Sequence, residues 1–192
     1  MSELGTYSLS DFLMFSPQVY WRLIARYNAA WWPAQFVALA VGLAIWWLVD
    51  RGHRAALLLL AAAWGWLAWA FFGQWYAEIF LAAQWIAAAC AGQALLLVVA
   101  AAWRWPPPVP GSGRGFGVVL LTMGLLYPLL SLWSGRTTSE AEVFAFMPDP
   151  TALATLGVLL ALPQLPRWWR GTLALVPVAV FALGMATRWL MA

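Results

Sequence analysis

Apolar runs separated by short turns set the rhythm of this 192-residue chain. They cover residues 31–49, 55–72, 77–103, 116–133, 151–165 and 171–190. An α-helix rises about 1.5 Å per residue, so about 20 apolar residues cross the roughly 30 Å of bilayer hydrocarbon. Five runs meet or nearly meet that length, the third exceeds it enough to tilt, and the fifth falls short. Lipid offers no partner for an open backbone N–H or C=O, so the pattern predicts helices. The expected fold is all-α: a polytopic membrane helix bundle of about six transmembrane helices.

Ahead of the first run, Ser16-Pro17 has the form of an N-cap followed by a first-turn proline. The residues that follow put Tyr20, Trp21, Leu23, Ile24 and Tyr27 against Arg22 and Arg26, which predicts an N-terminal interfacial amphipathic helix within residues 1–30. Residues 31–103 then carry three helices, and 104–115 form a Pro/Gly linker with a stiff proline run and a flexible end. Residues 116–192 carry three more helices, all within one integral-membrane domain. The connection 134–149, with Arg136, Glu140, Glu142 and Asp149, is the most polar stretch.

Composition narrows the class further. Hydrophobic residues make up 65% of the chain and charged residues 9%, against about half and about a quarter in soluble domains. Too few charges remain to cover a water-facing surface. All ten basic residues are arginine, scattered rather than clustered, so the net charge of +3 is no nucleic-acid footprint. The single cysteine, Cys90, excludes an internal disulfide, and the single histidine, His53, excludes a bis-His haem within one chain. No cofactor or metal site is expected. No removable signal peptide is read in residues 1–10. The connections after the first, third and fifth helices carry Arg51, Arg54, Arg104, Arg114, Arg167 and Arg170, against Arg22, Arg26, Arg136 and Arg188 on the other face. The positive-inside rule then places both termini on the outer side of a bacterial inner membrane.

Sixteen tryptophans are present, and Trp31, Trp32, Trp46, Trp47, Trp103, Trp105, Trp133, Trp168, Trp169 and Trp189 fall where an aromatic belt belongs. Trp64, Trp66, Trp69 and Trp85 lie deeper, where they either wall a ligand pocket or fill space between Ala-rich helices. In a continuous helix Gln74, Glu78 and Trp85 share one face, and an ionisable group at membrane depth is a functional candidate. Asp149 is placed to cap the fifth helix, with Pro150 in its first turn and Thr151 offering a hydroxyl. Pro128 and Pro177 lie mid-helix as candidate hinges or static kinks. No nucleophile elbow, phosphate loop or carboxylate pair at catalytic spacing is present, so enzymatic activity has no support.

The order of Tyr7-Ser8-Leu9-Ser10-Asp11-Phe12-Leu13, Tyr27-Asn28-Ala29-Ala30-Trp31-Trp32-Pro33-Ala34-Gln35, Tyr127-Pro128-Leu129-Leu130 and Pro148-Asp149-Pro150-Thr151 resembles the bacterial membrane family called domain of unknown function 6064. The resemblance covers nearly the whole chain and implies an integral-membrane fold, with members often labelled permease. It picks out Tyr27, Asn28, Pro33, Gln35, Pro148, Pro150 and Thr151. The leading expectation is a permease-like or channel-like protein for a small solute or ion. Its polar path or ligand site would draw on Asn28, Gln35, Gln74, Glu78, Trp85, Asp149 and Thr151. The alternative is a non-transporting accessory or ligand-binding and lipid-binding subunit. Either reading takes the lipid bilayer as partner, with a second copy or another membrane subunit beside it.

Overall fold

A computed structural model describes residues 16–105 and 114–191. The motif at residues 7–13 and the proline run of the linker lie outside the described residues. The described chain is helical, without a strand. The helices are α1 (Pro17–Ala30), α2 (Ala34–Asp50), α3 (Ala55–Glu78), α4 (Ala83–Ala102), α5 (Arg114–Leu126), α6 (Pro128–Trp133), α7 (Pro148–Ala161) and α8 (Arg167–Met191). Within α3 the α-helical part ends at Trp66, a π-helical stretch runs over Leu67–Trp75, and a 3₁₀ turn closes it at Tyr76–Glu78.

All six predicted segments are helical, but the length test supports fewer crossings. Among the described residues, only α3, α4 and α8 are long and apolar enough to cross a membrane alone; α1 and α2 pass together as one pair bent by 88°. The fifth predicted span is α7, whose 14 residues are almost all buried. It is the central post of the bundle, packed on α5 and α8. The fourth breaks at Tyr127 into α5 and α6 because Pro128 opens a new helix. The third starts at Ala83, after a turn over Ile79–Ala82.

Ser16 caps α1 as expected, its hydroxyl accepting from Val19 N, with Pro17 in the first turn. The apolar face of α1 packs inward. Tyr20, Leu23, Ile24 and Tyr27 are buried against the rest of the chain, and only the opposite face stays open.

Contact between α5 and α7 is made backbone to backbone. A Cβ on Gly117 would lie 2.6 Å from the Gly157 carbonyl oxygen, and one on Gly124 would lie 2.8 Å from both Pro150 O and Ala154 N. Small residues permit such approach where dispersion, rather than water exclusion, holds helices together. A second device joins α4 to α8. Pro177 has no N–H, so the carbonyl of Leu173 one turn earlier loses its helical partner. Gln93 of α4, fully buried, donates its Nε2 to that carbonyl at 2.9 Å. The candidate hinge is thus a cross-braced position in a helix that runs unbroken to Met191.

The connections expected on one face do meet at one end of the bundle. Arg114 pairs with Asp50 at 3.1 Å, Arg54 donates to Trp103 O at 3.3 Å, and Gln164 donates to Gly52 O. Trp103 packs on Trp168 and Trp169 there. Many belt tryptophans, including Trp32, Trp47, Trp133 and Trp189, point outward.

Replacing Gly157 with Leu drives side-chain carbons into α5 and is expected to cost about 1–3 kcal/mol or more. Gly171, with open space around it, is the control that tolerates Ala. Thermal unfolding in detergent separates the two. Gln93→Leu strands the Leu173 carbonyl at an expected cost of about 1–3 kcal/mol. Adding Pro177→Ala returns a backbone N–H to that carbonyl, so the double variant should regain much of the loss in the same assay.

Candidate functional site

The end of the bundle opposite the Arg114–Asp50 pair holds a buried charge cluster built on three elements. Arg188, in the last turn of α8, donates Nη1 to both carboxylate oxygens of Glu142, at 3.1 and 3.2 Å, and Nη2 to Asp149 Oδ2. The Glu142 and Asp149 side chains are almost fully buried, at 6% and 2% exposure. Such a cluster persists away from water only because each charge has an opposite partner and hydrogen bonds.

Local sequence explains how each member gets there. Asp149 is not the α7 cap; the cap position is Met147, and Asp149 sits within the first turn between Pro148 and Pro150. The positive end of the α7 dipole favours a carboxylate there. Its direction is set by Gly184, one turn before Arg188, since a Cβ at that residue would collide with the Asp149 carboxyl group. Glu142 comes from the connection before α7, which folds inward over Val143–Met147 instead of lying in water. Thr151 secures that fold: its hydroxyl donates to Met147 O and accepts from Ala145 N, both at 2.8 Å. Ala145 is thereby held at φ 64°, in the left-handed region an alanine seldom enters. From the other side, Asn28 Nδ2 donates to Ser139 O at 2.8 Å and Ala141 O at 2.9 Å.

Two of the hollows beside this segment have polar side chains in their lining. A cavity of about 20 Å³ lies beside Asp149, lined also by Tyr20, Tyr76 and Thr187. That is room for about one water. Asp149 Oδ1, buried next to it, has no hydrogen-bond partner. The second hollow is a cleft of about 440 Å³ between α1, α2 and the connection, lined by Asn28, Trp32, Gln35, Phe36, Leu39 and Ser139. Gln35 Nε2 donates to Asn28 O at 2.7 Å. Both amide nitrogens being committed, Asn28 Oδ1 and Gln35 Oε1 remain buried without partners.

The expected polar residues therefore divide. Asn28, Gln35, Asp149 and Thr151 are buried around one segment, whereas Gln74, Glu78 and Trp85 are exposed. The last three do not share a helical face, because α3 ends at Glu78 and Trp85 belongs to α4. Trp64 and Trp66 are packing residues with satisfied indoles, donating to Thr155 Oγ1 at 2.9 Å and to Tyr27 OH at 3.0 Å. Trp69 and Trp85 face outward. Sequence reasoning missed Glu142 and Arg188. Their signal was an acid directly before the apolar run Val143–Met147, and an arginine closing a helix whose residues 173–186 carry no polar side chain.

These features define a class: a compact bundle of apolar helices, some long enough to span a bilayer, with one buried cluster of three charged side chains at an end. The chain belongs to the family of unknown function DUF6064, whose profile matches residues 17–190. No curated protein and no solved structure matches it.

Burial pushes the Glu142 carboxyl from its ordinary 4.5 up to about 7, desolvation outweighing the attraction of Arg188. The folded chain therefore holds this proton more tightly than the unfolded one. The resulting stability is full below about 4.5 and is lost as pH rises through about 7. The melting temperature in detergent is expected to be higher at pH 5 than at pH 8. Glu142→Gln should flatten that difference.

Proposed function

We propose that this chain is a multi-pass protein of the bacterial inner membrane that binds a small amphipathic ligand, lipid or lipid-like, as a ligand-binding or accessory subunit. The observation that carries this reading is the cleft lined by Asn28 and Gln35. Its walls Trp32, Phe36 and Leu39 suit a hydrocarbon tail, and the Asn28 and Gln35 amides that also line it, their oxygens buried without partners, are the groups a hydrogen-bond-donating head would engage by a small side-chain rotation. Membrane placement is supported by the apolar residues that α4 and α8 turn outward, such as Leu95, Val98, Leu175 and Val178. Arginine weight at the Asp50–Arg54 end supports termini on the outer side.

A permease-like protein is the second reading, favoured by the buried Glu142–Asp149–Arg188 cluster, since ionisable groups at such depth often relay ions or protons. It predicts that liposomes containing the protein dissipate an imposed proton gradient faster than empty ones. The binding reading expects equal rates.

Native mass spectrometry of gently extracted protein tests the binding reading directly and reports any second copy or partner subunit as well. Wild type is expected to retain the added mass of a lipid. Ala29→Trp, which fills the cleft from its exposed rim without removing the Asn28 or Gln35 hydrogen bonds, should lose it; Trp85→Ala, on an outward-facing side chain of α4, should keep it. Equal retention in both variants would sink the proposal.

A further inference from the structure

Two carboxyl groups converge on one guanidinium in the cluster that joins the connection, α7 and α8. Glu142 and Asp149 both touch Arg188 and are both almost fully buried. With both acids ionised the group carries a net charge of −1; with one proton added it is neutral. The charged and titratable residues facing it leave that balance largely in place. Tyr20 comes from α1, Tyr76 from the end of α3 and Tyr127 from the break between α5 and α6, all neutral phenols at ordinary pH. Arg136 adds positive potential from the connection, but its guanidinium lies over the Trp21 ring at 3.8 Å and it remains partly open to water. Water screens that charge far more than it screens the buried pair.

We propose that the Glu142–Asp149–Arg188 cluster is a proton-binding site, which retains one proton shared between its two carboxyl groups in the folded protein at neutral pH. The balance is simple: one proton taken from water turns one carboxylate into a carboxylic acid, and the other stays ionised against Arg188. Two acids forced together cannot both ionise cheaply when only one cation answers them. The unpartnered Asp149 Oδ1, beside a cavity with room for about one water, gives the proton a local stopping place. Loss of the proton leaves Glu142 and Asp149 repelling each other. Glu142 directly follows the stretch whose Ser139 and Ala141 carbonyls hold Asn28, so the site adjoins a wall of the cleft. The inference stands whether or not the cleft binds a lipid.

Infrared spectroscopy of the full-length protein in lipid tests it. The expected result is a protonated-carboxyl stretch at pH 7 that shifts in D₂O and fades as pH is raised to 9. Glu142→Gln and Asp149→Asn should each abolish the band, because each leaves one carboxylate facing one guanidinium. A wild-type spectrum without the band at pH 7, or a band that survives both substitutions, overturns the proposal. Elution profile and helical circular dichroism check that the variants fold. Should either variant misfold, the wild-type titration alone still decides.

Discussion

Arg188 ties the last helix to everything packed around α7. Its two terminal nitrogens reach Glu142, 46 positions earlier, and Asp149, 39 positions earlier. Without it, two buried carboxyl groups would face each other in a setting that solvates neither. The inward fold of Val143–Met147, the entry of α7 and the absence of a side chain at Gly184 all serve that meeting. It also places the segment 139–142 between two constraints, the ion cluster on one side and Asn28 on the other.

Elsewhere the same demand, that polar groups find partners inside the protein, is met by single side chains. Gln93 answers the carbonyl that Pro177 releases, Trp64 donates to Thr155, and Trp66 donates to Tyr27. Thr151 serves a turn that would otherwise leave Ala145 N unpaired. The exceptions fall at several places in the bundle, among them Trp31 Nε1, Gln93 Oε1, Gln164 Oε1, Trp169 Nε1 and Arg170 Nε. Asn28 Oδ1, Gln35 Oε1 and Asp149 Oδ1 lack partners too, and those three residues line two hollows beside residues 139–149. Unsatisfied buried acceptors cost stability, and the hollows beside these three set this region apart from the closely packed contact of α5 with α7.

Much of the fold was legible because helix periodicity and length are local properties. Ser16-Pro17 announced α1, and the Arg51–Arg54, Trp103 and Trp168 connections were correctly grouped on one face. Asp149 shows where local reading stops. Next to Pro150 at a helix start it has every mark of a cap, and only the arrival of Arg188 makes it half of an ion pair. Arg188 reads as an ordinary cation at a helix C-terminus for the same reason. Gln74, Glu78 and Trp85 were aligned on the premise of an unbroken helix, which the turn after Glu78 removes.

By itself the sequence determined an all-helical chain with apolar outer faces, membership of its family, and the aromatic and arginine-rich ends, because each depends on the residues within one or two turns. Tertiary structure alone decided that α7 is a buried post and that Glu142, Asp149 and Arg188 meet. It also decided that Asn28 and Gln35 line a cleft while their amide oxygens stay buried and unpaired. Those outcomes depend on how helices far apart in the chain pack, and a buried charge or amide takes its meaning from whichever partner that packing delivers.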